Sequence, residues 1–306
     1  MIDFTENGQS VQGNPLFEAN PGGAPCNVLA MLKRLGHKVS FIGKVGNDFF
    51  GKQLKNAISE VGIDAAHLKV DDEVHTTLAF VHTLADGDRD FSFYRNPGAD
   101  MMLTEADVPA ELIRNSRIFH FGTLSMTHES VRAATKKALE IAKESDTLIS
   151  FDPNLRPPLW HSLEEAREQV LYGLQYCDIL KISDNEIQWL SGEEDYTEGV
   201  RWIKERYPDI SLILVSMGRE GSRAYYKDVI VEAAACLNQK TIETTGAGDT
   251  FCGCILHYVL EHGLEGLEQE NLREMLRFAN AAASIVTTRK GALRVMPAMG
   301  EVEALL

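Results

Sequence analysis

The residues whose types and spacing carry the most chemistry are Glu243-Thr244-Thr245-Gly246-Ala247-Gly248-Asp249-Thr250-Phe251. Three small residues stand between two threonines and an aspartate. Phe251, Ile255 and Val259 then recur every fourth position, the period of one helical face. Gly-Ala-Gly reads as a tight turn opening a helix, with Asp249 in its first turn. Such a helix start offers unpaired N–H groups at the positive end of the helix dipole, where an anion, typically a phosphate, is accommodated. A carboxylate beside that cradle can take the proton of a hydroxyl as the hydroxyl attacks the phosphate. A loop with an ordinary Asp near a helix start has the same spacing, so the rest of the chain must separate the two readings.

Other stretches offer polar groups where ligands bind. Asp3 stands at the end of a short β-rich run, the carboxyl-end position used by ligands in open α/β sheets, or else is a solvated acid near a terminus. Asn20 to Asn27 contains the pair Gly22 and Gly23 and leads into a helix with Val28, Leu32 and Leu35 on one side, closed by Gly36. The pair permits unusual backbone angles or the approach of a ligand, and Asn27 could present its amide to hydroxyls or simply follow a turn. The strand expected at 147–151 ends in Asp152-Pro153-Asn154-Leu155-Arg156, placed for ligands or equally a good turn. Ser183-Asp184-Asn185-Glu186 could hold magnesium, directly or through water, and is also a capping box; both can hold together. Met217 to Ser222 is a second glycine-containing loop, and Thr288 to Ala292 could approach a nucleotide.

The elements that must position these groups alternate. Strands are expected at 38–43, 118–121, 147–151, 178–182 and 212–216. Helices fall between them, at 49–62, 128–145 and 163–174, which favours a parallel sheet with crossover helices. Two β-rich runs, 75–84 and 89–95, are joined by Ala85-Asp86-Gly87-Asp88 and read as a hairpin. It could flap over a site with Arg95 reaching a ligand, or be a plain edge. Two more β-rich runs, 223–227 and 229–234, precede the Asp249 helix, and an alanine-rich helix is expected at 271–287. No repeats or linkers interrupt the 306 residues, so one large α/β domain (1–306) with a small β insertion fits best.

Composition narrows the class. A net charge of -15 argues against a nucleic-acid partner. No apolar run approaches a membrane span, and no basic-then-apolar signal opens the chain. The five cysteines include no Cys-x-x-Cys pair, which suggests neither a disulfide frame nor a zinc site and fits a reducing cytoplasm. A dinucleotide-binding dehydrogenase fits poorly, because no G-x-G-x-x-G follows a first strand.

Taken together these stretches resemble the ribokinase, or PfkB, family of sugar kinases, and within it the bacterial and plant fructokinases. The matching pieces are Asn20-Pro-Gly-Gly-Ala-Pro-Cys-Asn27, Phe41-Ile-Gly-Lys-Val-Gly46, Phe93-Tyr-Arg-Asn-Pro-Gly-Ala-Asp100, Phe151-Asp-Pro-Asn-Leu-Arg156 and Thr244-Thr-Gly-Ala-Gly-Asp249, in that order. The resemblance implies a ribokinase-like α/β fold with a Rossmann-like, mostly parallel central sheet and a small β lid at about 5–20 and 73–97. It implies transfer of the ATP γ-phosphoryl to the primary hydroxyl of D-fructose, with Mg2+.

By the same resemblance Asp249 would be the base, with Gly246, Ala247 and Gly248 forming the anion hole. Asp3, Gly22, Gly23, Asn27 and Arg95 would bind sugar. Ser183, Ser216, Gly218, Gly221, Gly246, Gly248 and Asn280 would lie along ATP. Glu186 would organise Mg2+ through water, and Glu243 with Thr245 would form a K+ site. A homodimer through the lid and a cytoplasmic location follow from it too.

Three departures accompany the match. The family's first strand begins several residues before the aspartate matched to Asp3, so a shortened first strand is expected. Asn-x-x-Glu appears as Ser183-x-x-Glu186, and Glu243 stands where Asp is usual. The competing readings are another sugar kinase, such as a 2-keto-3-deoxygluconate kinase or ribokinase, and a catalytically impaired, N-terminally truncated sugar-binding homologue.

Overall fold

Apolar runs of five residues, bounded by polar loops, build the centre of the molecule. The computed structural model describes residues 1–83 and 89–306, so the Asp-Gly turn expected at 85–88 lies outside the described residues. The first half of the chain forms β1 (Ile2–Gln9), β2 (Pro15–Pro21), α1 (Ala24–Arg34), β3 (Gly43–Gly46), α2 (Phe49–Glu60), β4 (Leu68–Asp71), β5 (Leu78–Thr83), β6 (Arg89–Tyr94), α3 (Ala110–Arg114), β7 (Ile118–Gly122), α4 (Glu129–Glu144) and β8 (Leu148–Asp152). The second half forms α5 (Leu163–Leu174), β9 (Ile179–Ser183), α6 (Asp184–Ser191), α7 (Tyr196–Arg206), β10 (Leu212–Ser216), β11 (Ser222–Tyr226), β12 (Val229–Ala233), α8 (Ala247–His262), α9 (Gln269–Val286) and α10 (Met299–Glu303).

Six strands make the central sheet in the order β12-β11-β10-β9-β8-β7. β7 to β10 run parallel, and β11 and β12 add an antiparallel edge. In β10, Leu212 and Leu214 face a layer that includes α1, α8 and α9, while Ile213 and Val215 face the layer of α4 to α7. Burial on both faces explains why these strands read as continuous apolar runs. Each such side chain contributes about 1.5–3 kcal/mol on full burial. The register aligns Gly122 with Asp152 and Ser183 with Ser216, so the carboxyl ends of the parallel strands open on one edge.

β1, β2, β5 and β6 form a separate four-stranded sheet in the order β2-β1-β5-β6. Phe4 stacks on Phe80 at 4.7 Å between centroids, and Phe17 meets Phe80 edge-on at 5.4 Å. The lid span expected at about 5–20 covers most of β2, although Pro-Leu-Phe-Glu-Ala-Asn-Pro has no regular alternation. Its prolines stand at the two ends of an edge strand, where a missing N–H is tolerated.

The strand expected at 38–43 lies later, at Gly43–Gly46. Among the described residues it pairs with β4 in a two-stranded sheet and not with the central sheet. Close approach sets that position: a Cβ on Gly51 would lie 2.0 Å from the Gly46 carbonyl oxygen, which draws β3 against the start of α2. No described helix is long and apolar enough to cross a membrane.

Candidate active site

The turn before α8 is built by two glycines with different duties. Gly246 is left-handed (φ 76°), and a Cβ there would lie 2.5 Å from the Ala292 Cβ. Both the angle and the contact require glycine. Thr250 closes the first turn, its N–H donating to the Gly246 carbonyl at 2.8 Å and its hydroxyl to the same oxygen at 2.7 Å. Gly248 has no side chain to fill the space before Lys181; a Cβ there would approach the ammonium to 3.3 Å. The N–H groups of Gly248 and Asp249, in the first helical turn, are the ones an anion would meet.

Ala247 departs from the expected anion hole. Its N–H donates to the Thr244 carbonyl at 3.2 Å, because the Thr-Thr-Gly-Ala segment closes as a turn. That leaves the N–H groups of Gly248 and Asp249 in the first turn of the helix.

Asp249 Oδ2 accepts a hydrogen bond of 2.7 Å from the Asn27 amide. Asn27 comes from α1, whose entry is shaped by Gly23 at φ 129°. The side-chain Oδ1 of Asn27 is buried and has no hydrogen-bond partner among the described residues, leaving an acceptor beside the carboxylate. Burial pushes the Asp249 pKa above the ordinary carboxylate value, against the Asn27 hydrogen bond and the charges of Lys181 and Arg156. Asp3 is raised as well, by burial first and further by Asp249 and Glu243, while the N-terminal ammonium and Arg156 oppose.

A cavity of about 1570 Å³ joins these groups. Asp3, Gly22, Gly23 and Asn27 line it from one side, and Glu243, Thr245, Gly246, Gly248 and Asp249 from another. Asp152, Asn154, Arg156 and Lys181 complete its polar wall. Gly22 is required there, because a Cβ would come within 2.5 Å of an Asp3 carboxylate oxygen. The same cavity is also lined by Leu32, Val39, Phe41, Ile42, Ile118 and Leu256.

Lys181 was missed from the sequence. It is buried in β9 and its ammonium lies 3.0 Å from Asp152 Oδ2. Burial disfavours its charge, but Asp152 and Glu186 outweigh that and raise its pKa, so it stays cationic. The available signal was a single charge inside Ile179-Leu180-Lys181-Ile182, since a buried charge requires a partner.

Several expected residues sit elsewhere. Arg95 is buried and is not among the residues lining this cavity, although its partners Asp100 and Leu124 are: it bonds Asp100, donates to the Thr127 hydroxyl at 2.7 Å and to the Leu124 carbonyl at 3.0 Å. These partners hold the guanidinium against Asp100, Thr127 and Leu124. Asn280 is engaged as well, accepting from the Ser222 hydroxyl and donating to the carbonyls of Ala233 and Ala234. It ties α9 to the end of β12. A Cβ on Gly221 would strike the Ala233 carbonyl oxygen at 2.1 Å, so this glycine serves strand packing. Gly218 (φ 54°) has open space where a side chain would be, and Ser216 ends β10 beside it; neither lines the Asp249 cavity.

Ser183 and Glu186 form the expected capping box of α6. Of about four acceptor positions on the Glu186 carboxylate, three are used, by the Ser183 N–H and hydroxyl and by the Leu155 N–H. Among the described residues one position has no donor, which is compatible with contact to a metal-bound water. Glu243 Oε1 accepts from the Gly291 N–H at 2.6 Å, so the Thr288 to Ala292 tail buttresses the turn before α8.

Comparison with known proteins agrees with this geometry. The model of the pfkB family carbohydrate kinases matches residues 1–299. Fructokinase-2 of Solanum lycopersicum is 41% identical over 311 aligned positions, covering 100% of this chain and 93% of that protein. Fructokinase-1 of Zea mays is 40% identical over 308, covering 100% and 95%. Among solved structures, the fructokinase of Vibrio cholerae O395 with fructose, ADP and calcium superposes with a TM-score of 0.89 at 29% identity, covering 100% of this chain and 96% of that one. The ATP-bound fructokinase of Xylella fastidiosa gives 0.90 at 29%, covering 100% and 95%. With the ribokinase-like fold, the Gly-Ala-Gly-Asp helix start and a family match across nearly its whole length, the chain belongs to the pfkB family of carbohydrate kinases.

Proposed function

We propose that this protein is an ATP-dependent fructokinase, transferring the γ-phosphoryl group to the primary hydroxyl of D-fructose. The observation that carries the reading is the Asp249 carboxylate, bonded to Asn27 at 2.7 Å and standing in the same helical turn as the Gly248 N–H. A primary hydroxyl does not ionise at neutral pH, so a positioned carboxylate must take its proton as the new P–O bond forms. Asp249 removes that proton. The helix-start amides of Gly248 and Asp249 stabilise charge developing on the transferring group. Sugar hydroxyls are bound on the side of Asp3, Gly22, Gly23 and Asn27. The nucleotide lies toward Lys181, Ser183 and the loop of Ser216 and Gly218.

A magnesium ion bound with the nucleotide would supply charge neutralisation. The donor set here fits its water shell through the one free acceptor position of Glu186. A potassium ion near Glu243 and Thr245 is the matching expectation for the turn before α8, since a related fructokinase structure contains potassium. The four-stranded sheet acts as a lid on one domain, closes over sugar and limits water access. Pairing through that lid gives a homodimer, and the compartment is the cytoplasm, in keeping with the unpaired cysteines.

The test is ADP release with ATP and Mg2+ over a panel of fructose, ribose, 2-keto-3-deoxygluconate and glucose, with and without K+. The highest kcat/KM is expected for fructose, with loss of activity on magnesium removal. Preference for another sugar would replace fructose in this reading, and no ADP release with any sugar would remove the enzyme reading.

A further inference from the structure

Eight residues beyond Asp249 on the same helix, about 12 Å along its axis at 1.5 Å per residue, stands a cluster that phosphoryl transfer does not use. The His37 Nε2 lies 2.7 Å from the His257 Nδ1 and 3.8 Å from the Glu261 Oε1. The three ligand atoms all fall within 4.8 Å of one another. We propose that His37, His257 and Glu261 form a binding site for a borderline divalent transition metal such as Zn2+, which clasps the tail of α1 to the last turns of α8.

The local structure presents these ligands on rigid backbone. α1 ends with the Gly36 N–H donating to the Lys33 carbonyl at 3.1 Å and the His37 N–H to the Leu32 carbonyl at 3.1 Å, with Gly36 at φ 97°. This pair of bonds is the Schellman arrangement, and it fixes His37 just past the helix end. On α8, Gly253, His257 and Glu261 are spaced by four and share one face. Gly253 lets the two helices touch: a Cβ there would lie 2.7 Å from the Met31 Cβ and 3.1 Å from the Val28 carbonyl oxygen. One turn further on, that contact carries His257 to His37, and Glu261 follows.

The donor chemistry selects the ion. Two imidazole nitrogens and one carboxylate oxygen suit Zn2+, Co2+, Ni2+ or Cu2+ and do not suit Mg2+ or Ca2+, which require oxygen sets. Without metal, one ring must donate its proton to the other across the 2.7 Å contact. Tetrahedral coordination at about 2.0–2.1 Å would hold the nitrogens about 3.3 Å apart. A small rotation of the rings supplies the difference. The side chain of Glu261 is 54% exposed and leaves room for water as a fourth ligand.

The test is titration of the chelator-treated, nucleotide-free protein with Zn2+ alone, by calorimetry and by thermal unfolding. One saturable site and a melting temperature that rises with Zn2+ are expected. His37→Gln and His257→Gln should each weaken binding tenfold or more and abolish the thermal shift. Glu261→Gln, at a half-exposed position, should weaken it several-fold without disturbing the fold. The Co2+ form should show d–d bands of a four-coordinate N/O site and no thiolate charge-transfer band, which separates this site from the five cysteines. Absence of saturable binding, a thiolate band, or affinity unchanged in Glu261→Gln and both histidine variants would each overturn the proposal. None of these readouts depends on sugar phosphorylation.

Discussion

Asp249 is subject to opposed demands. Its pKa is raised chiefly by burial, so in the folded state the protonated form is favoured relative to the unfolded chain. The stability linked to this group is therefore fully present at low pH. It is lost as pH rises from the unfolded carboxylate value through the higher folded value. At neutral pH the ionised acid destabilises the fold while it fills its proposed role as the base. Asp249→Asn should lower turnover by about a hundredfold or more, while its melting temperature stays level or rises. Near-normal turnover in this variant would remove Asp249 from its role. The acid limb of kcat/KM should lie above the ordinary carboxylate range for the same reason, and a pH–rate profile measures it. Lys181 has the reverse character, being a buried cation held by Asp152 at 3.0 Å. Lys181→Met should destabilise by about 3–5 kcal/mol by stranding the buried acid. Adding Asp152→Leu should recover much of that loss in denaturant titration.

Helices α1 and α8 act as one element. α1 supplies Asn27 and α8 supplies Asp249, and their hydrogen bond depends on how closely the helix axes approach. Gly253 sets that approach through Met31 and the Val28 backbone. Gly253→Val should cost about 1–3 kcal/mol by overpacking. It should also reduce kcat by displacing Asp249 from Asn27, so an unfolding curve and a turnover assay are to be read together. A stability loss with unchanged kcat would show that the Asn27–Asp249 geometry survives the separation. The capping box of α6 was legible because Ser183 and Glu186 carry the spacing themselves. The use of Asn280 to bind β12 was not, because the carbonyls it meets belong to residues 46 and 47 positions away in the chain.

For the whole molecule, the arrangement of two sheets around one cavity makes sugar binding and shape interdependent. The four-stranded sheet contributes Asp3, while the helical layer contributes Asn27 and Asp249. Fructose should therefore raise the melting temperature with concentration, by about 2.7 kcal/mol equivalent at a hundred times Kd. It should also suppress hydrogen exchange in β1 and β5. Thermal shift without any change in β1 exchange would count against lid closure.

Local spacing sufficed for much of this protein. The four-residue recurrence after Asp249, the apolar five-residue strands and the capping box at Ser183 each follow from bonds or faces within a few residues. The motif order therefore led to the family before any contact was known. What tertiary structure decided were the pairings between distant segments. It turned Arg95 toward Asp100 and Thr127, joined Lys181 to Asp152, and separated β3 from the central sheet. It also closed Ala247 onto Thr244, leaving the Gly248 and Asp249 N–H groups at the helix start. Burial and long-range hydrogen bonding are properties of packed neighbours, and periodicity along the chain does not encode which neighbours those are. The Gly-Ala-Gly-Asp helix start could be read in the sequence; the Asn27 amide that meets its carboxylate came only with the fold.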